Sequence, residues 1–236
     1  MSERLMQIRE KERKSHEEMY NKNGFFQEES WLRKPVRTVM DILPRFDGYE
    51  SLNVLDLGCG IGRNAIAIAE SFQDIDCSVD CVDLLEVAID KLYANARTYQ
   101  VLQHINGLVL PIEDYKIAEE RYDLILAVSA LEHVESRKAF SEKLAEIERG
   151  IKENGIICLI VNTNVTEQEK ETGQELQPQF EVNMSTDRLL HILCSTFSGW
   201  ELLKKTVRRQ EYEVPRDNIV SNIKTDVVTY VARKIA

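Results

Sequence analysis

Gly58, Gly60 and Gly62 stand at alternate positions between the apolar run Leu52–Leu57 and a helical pattern that begins at Arg63. With no Cβ in the way, the backbone there can turn tightly and come close to a ligand. A nucleotide is what such a loop suits. A dinucleotide fingerprint of the G-x-G-x-x-G type puts its third glycine where this chain has Arg63. Asp56, at the end of the strand before the loop, is poorly placed beside a pyrophosphate and well placed for an α-ammonium group. That pairing predicts a nucleoside that carries an amino acid. The next strand ends Cys81-Val82-Asp83, with Leu84 following. A carboxylate at a strand tip can accept hydrogen bonds from both hydroxyls of a ribose, which makes Asp83 the second anchor.

Val54-Leu55-Asp56-Leu57-Gly58-Cys59-Gly60-Ile61-Gly62-Arg63-Asn64 resembles the first motif of the class I S-adenosylmethionine-dependent methyltransferases. The Gly-Arg-Asn ending, Tyr122-Asp123-Leu124-Ile125-Leu126 and Leu131-Glu132-His133-Val134 are similar to the tellurite-resistance and related small-molecule branch. The likeness covers residues 31–161, and beyond them only the order of a helix and two strands. It implies S-adenosyl-L-methionine as cofactor, its methionine part over Gly58–Gly62 with Cys59 in contact. It also implies a Rossmann-like α/β sheet of seven strands, mostly parallel, with the last one antiparallel.

The family's third cofactor contact follows the strand Ile105–Leu110, where an acidic residue commonly binds the adenine amino group. Pro111 stands there instead and has no N–H to donate. The resemblance then assigns the apolar adenine contact to Ile112 and the polar one to Glu113, a simply solvated Glu113 being the other reading. Val128, ending the fourth strand, is expected to touch the cofactor, and Ser129, Glu132 and His133 to open the substrate side. An imidazole at the cleft could take a proton from a hydroxyl or amine near neutral pH, so His133 is the catalytic candidate, a structural histidine being the alternative. Transfer from a sulfonium has a leaving group already activated by its charge, so the protein has mainly to position and desolvate.

The elements that must hold these residues follow from texture. Short apolar runs at Leu52–Leu57, Cys77–Val82, Ile105–Leu110, Tyr122–Val128 and Ile156–Val161 read as strands. Helical patterns separate them at Arg63–Phe72, Leu85–Thr98 and Ser136–Ile151. The last two runs are nearly continuous, as in parallel strands covered on both faces, and the alternation predicts a doubly wound sheet. Asn162 to Asp187 is polar and breaks the rhythm, and is read as a cap excursion over the carboxyl ends of the strands, where ligands bind. A helix at Thr186–Phe197 and strands near Trp200–Arg208 and Asp226–Arg233 complete the expected domain, residues 51–236. Residues 1–50 are expected to form a helical lid, with Tyr20, Phe25, Phe26 and Trp31 as aromatic faces for a cationic centre.

The 236 residues, 43% hydrophobic, suffice for one sizeable core. A formal net charge of -10 argues against a nucleic-acid partner and leaves a small-molecule acceptor. The charged amino-terminal stretch lacks an apolar h-region, so no membrane partner and a cytoplasmic location are expected. Five cysteines without a CxxC pair suggest neither a disulfide framework nor a metal site. Two other classes compete with a methyltransferase: a non-catalytic cofactor-binding protein of the same fold, for which Pro111 speaks, and a dinucleotide-dependent oxidoreductase, which Arg63 disfavours. The acceptor and the oligomeric state have no signature in the sequence.

Overall fold

The computed structural model describes residues 5–11, 13–14, 34–216 and 219–235. Five parallel strands carry the first two thirds of the chain: β1 (Ser51–Leu57), β2 (Asp76–Asp83), β3 (Ile105–Val109), β4 (Tyr122–Val128) and β5 (Ile151–Glu169). A two-residue β6 (Glu175–Leu176) pairs antiparallel with β5. β7 (Glu201–Arg216) and β8 (Ile219–Arg233) form a long hairpin, and β8 enters the sheet antiparallel between β5 and β7. The strand order is β3-β2-β1-β4-β5-β8-β7 with β6 off this path, so the Rossmann-like arrangement of seven strands with an antiparallel last strand holds, plus one short strand.

Of the strands read from apolar runs, β1, β2, β4 and β5 over Ile156–Val161 are covered on both faces, while β3 at the edge is largely exposed. Leu55, Leu57, Ile125, Ala127, Ile157 and Leu159 face one layer, where they meet Phe140 and Leu144 of α5 (Arg137–Gly150) and Leu189 and Leu193 of α6 (Thr186–Thr196). Val54, Leu124, Leu126, Ile156 and Cys158 face the other. There they pack on Ile66 and Ile68 of α3 (Arg63–Ser71) and Leu92 of α4 (Glu86–Thr98). Each such side chain contributes about 1.5–3 kcal/mol on burial, so these two layers fix where the carboxyl ends of β1, β2 and β4 meet.

Among the described residues, two shorter α-helices precede the sheet: α1 (residues 5–11) and α2 (Arg37–Ile42). The backbone N–H of Val36, just before α2, donates to Asn64 Oδ1 at 2.9 Å, so the Asn of the Gly-Arg-Asn motif ties the amino-terminal segment to α3. Tyr20, Phe25, Phe26 and Trp31 lie outside the described residues.

The structure corrects the reading of Asn162 onward as an irregular excursion. Residues 162–169 continue β5 and pair with β8 as far as Glu169 opposite Ser221, after a register shift between Thr163 and Thr166. Burial alternates there, with Thr163, Val165 and Glu167 inward and Asn164 and Thr166 outward. The period of a strand is present, but an inward glutamate hides it from a hydrophobicity pattern. β7 and β8 likewise run further than expected, through Pro215, because each supplies the other's hydrogen bonds beyond the edge of the covered sheet.

Candidate cofactor and acceptor site

The glycine loop is held from below and from the side. Gly58 and Cys59 donate their backbone N–H groups to Val82 O at 2.8 and 3.1 Å, which joins the end of β1 to the end of β2. Gly60 N donates to Asp83 Oδ2 at 2.8 Å and Leu85 N to Asp83 Oδ1 at 2.9 Å. Asn95 of α4 donates to Ile61 O at 2.9 Å. Gly58, Gly60 and Gly62 have φ of 71°, 55° and 91°, the left-handed region in which a side chain is strained. A Cβ at Gly58 would collide with Ala130, and one at Gly62 with Leu92. Two of the three glycines are therefore demanded by the packing under the loop.

Asp56 is 1% exposed, and its Oδ2 has no hydrogen-bond partner among the described residues. Burial pushes its carboxyl up to about 7, with Arg63 opposing the shift and Asp83 adding to it. A buried, unpartnered carboxylate oxygen is costly unless something brings a donor to it. Neighbouring Cys59 is buried, and burial pushes its thiol well up, so it acts as a neutral packing group.

On the side expected to meet adenine, Ile112 is buried near Gly58, within contact of where a Cβ there would lie, and Leu84 is exposed. Glu113 is not solvated. Its side chain is 11% exposed and bonds to Arg9 of α1, whose Nε also lies 3.8 Å from Glu181 Oε1. Val128 is half-buried at the end of β4. Ser129 follows at φ 50° and donates its N–H to Ile160 O at 2.7 Å, a strained corner that turns the chain into Leu131–His133.

That corner brings two titratable side chains to the carboxyl edge. Glu132 is fully buried; its Oε1 accepts from Asn162 N at 3.0 Å and Asn162 Nδ2 at 2.5 Å, and its Oε2 has no partner among the described residues. Burial raises its carboxyl above the usual range, with His133 and Asn162 opposing. His133 Nδ1 lies 2.9 Å from Glu181 Oε2, and its ring stacks on Phe180 at 5.1 Å. When the ring is neutral, a proton on Nδ1 bonded to Glu181 leaves Nε2 as the acceptor. Arg9, Asn162 and Glu181 did not emerge from the sequence. They lie on α1, on β5 and in the polar stretch before α6, and no local spacing links them to Glu113, Glu132 or His133.

The glycine loop, Asp83 and the Glu132–His133 corner fall within residues 54–155, which match the methyltransferase domain family. Over these residues the chain is similar to that family, and the rest of the chain lies outside the match. Among relatives, the chain is 28% identical over 141 residues to (S)-coclaurine N-methyltransferase of Papaver somniferum, covering 57% of this chain and 37% of that one. It is 30% identical over 112 residues to a ubiquinone biosynthesis O-methyltransferase of Rhodopseudomonas palustris, covering 47% and 40%. The chain spans about two fifths of the length of these relatives.

Solved structures share the fold. TehB from Haemophilus influenzae superposes with a TM-score of 0.58 at 20% identity, over 83% of this chain and 62% of that one. The 1,6-didemethyltoxoflavin-N1-methyltransferase of Burkholderia thailandensis superposes at 0.57 and 18% identity, over 99% and 88%. That structure contains bound 1,6-didemethyltoxoflavin and S-adenosylhomocysteine.

Proposed function

We propose that this chain transfers a methyl group from S-adenosyl-L-methionine to a nitrogen, oxygen, sulfur or chalcogen atom of a small-molecule acceptor. The observation that carries the reading is Asp56: a buried carboxylate with one unpartnered oxygen, at the tip of β1 beside a loop locked by Asp83. An α-ammonium group answers that demand and a pyrophosphate does not. When bound, the cofactor supplies an electrophilic methyl on a cationic sulfur. Asp56 would then hold the amino-acid end, and Asp83, which also anchors Gly60 and Leu85, would take the ribose hydroxyls. Ile112 would cover the ring, with Leu84, Cys59, the Gly58 and Gly60 backbone and Val128 around it. Glu113 would reach the adenine amino group by sharing its carboxylate with Arg9 or exchanging it.

On the acceptor side, Glu181 orients His133 so that Nε2 can receive a proton from an attacking nitrogen or oxygen. The relatives' names point to small acceptors, two of them methylated on nitrogen and one on oxygen. Residues 1–50 act in this reading as a lid docked through Arg9, the stretch 162–187 as the wall opposite, and the chain works in the cytoplasm. Calorimetry with S-adenosylmethionine, S-adenosylhomocysteine and NAD tests the cofactor: binding of the first two and none of the third is expected. Turnover with a methyl-labelled cofactor then tests catalysis. The second reading, a cofactor-binding protein without chemistry, is favoured by the commitment of Glu113 to Arg9, and absence of transfer to any acceptor would support it.

A further inference from the structure

Past the covered sheet, β5, β8 and β7 run on together as a three-stranded arm. Glu167, Ile223 and Tyr212 lie directly opposite one another in its ladder and so share a face.

On this face is a cavity of about 420 Å³, lined by Glu167, Gln179, Arg216, Leu176, Ile219 and Lys11. Small-molecule sites begin at roughly this size. Glu167 is 3% exposed; its Oε1 accepts from Arg216 Nε at 3.0 Å, while its Oε2 has no partner among the described residues. Gln179 Oε1 is also buried without a partner. The terminal nitrogens of Arg216 make no hydrogen bond among the described residues. Two residues that each carry an orphaned acceptor therefore line one cavity, beside a guanidinium with donors to spare. None of these residues belongs to the cofactor loop.

The charges narrow what fits. Arg216 neutralises Glu167, and Lys11 adds a further positive charge, so a compact cation is not favoured. A planar neutral head answers all three demands: two N–H donors for Glu167 Oε2 and Gln179 Oε1, and one acceptor for the Arg216 terminal nitrogens. Leu176 and Ile219 supply apolar contact for the body behind it. We infer that this cavity is a second small-molecule site, for a ligand that carries a primary carboxamide or an equivalent aminated heterocycle on an apolar ring. The site stands whether or not methyl transfer is the chain's activity.

The test uses benzamide as probe and N,N-dimethylbenzamide as control, which keeps the ring and carbonyl and lacks the N–H donors. Ligand-observed NMR titration of the full chain is expected to show saturable benzamide binding and none of the control. Glu167→Gln and Gln179→Leu should each weaken benzamide by about tenfold, the effect of one charge-assisted or buried hydrogen bond. No saturable benzamide binding, equal binding of the dimethylated control, or unchanged affinity in folded variants would overturn the site. Gln179 lies in a loop outside the Glu167–Arg216 pair, so Gln179→Leu carries the test even where Glu167→Gln does not fold.

Discussion

Asp56 couples proton and ligand. In the free protein its carboxyl sits at about 7, against an ordinary 3.8, because burial disfavours the charge. An ammonium group binds the carboxylate form, so below about 7 the site must first release a proton. S-adenosylhomocysteine affinity is expected to fall as pH drops below neutral and to level off above it; Asp56→Asn should bind weakly and lose that pH dependence in calorimetry. The stability sign is opposite. A folded value above the unfolded one means that the folded chain holds the extra proton between about 3.8 and 7. This group's contribution is full at acid pH and is lost as pH rises through about 7, so the cofactor-free protein should melt lower across that window than Asp56→Asn by comparison.

Asp83 has two duties in the same few ångströms, since its two oxygens already accept from Gly60 and Leu85. Asp83→Ala should weaken cofactor binding by about 2–4 kcal/mol, through lost ribose bonds and a loosened loop together. An unchanged calorimetric affinity in a folded variant would remove the ribose assignment. The glycine loop was legible because backbone geometry imposes residue types at fixed spacing. Glu113, Glu132 and His133 were legible as residues, but their partners were not. Arg9 and Glu181 reach them from 104 and 48 positions away, and pairing over such separations leaves no local trace.

Among the elements, the strands most legible in the sequence are those with apolar residues on both faces, as in β4, where every residue but Val128 is buried. The outer half of β7 is mostly exposed and the outer half of β5 turns Glu167 inward, so neither offers an apolar pattern to read. α1 is held by a different kind of contact, the Arg9 side chain on Glu113 and beside Glu181. Arg9→Ala is expected to speed amide exchange in residues 5–11 while leaving β1, β4 and the covered part of β5 slow. If α1 is a lid, S-adenosylhomocysteine should slow exchange of the same residues in the native chain. The outer half of β5, bonded to β8, should exchange slowly with or without cofactor, whereas the stretch from Gln177 to Ser185 is where ligand-dependent protection is expected.

At the scale of the molecule, the position of β8 sets the order in which the sheet can be finished. It follows the other described strands in sequence and yet is an interior one, antiparallel to β5 on one side and β7 on the other. As the chain leaves the ribosome, β5 emerges with an open edge and β7 has nothing to pair with until some fifteen further residues have followed, at a few to about twenty residues per second. For that interval a long edge rich in Ile and Val is bare, the kind of surface on which one nascent chain captures another. A chain stopped after Arg216 should keep the first four strands and their helices by circular dichroism but pellet on centrifugation, while supplying residues 219–236 as a separate peptide should return it to solution. Synthesis slowed over β8 should lower the soluble yield for the same reason, with every contact of the finished protein unchanged.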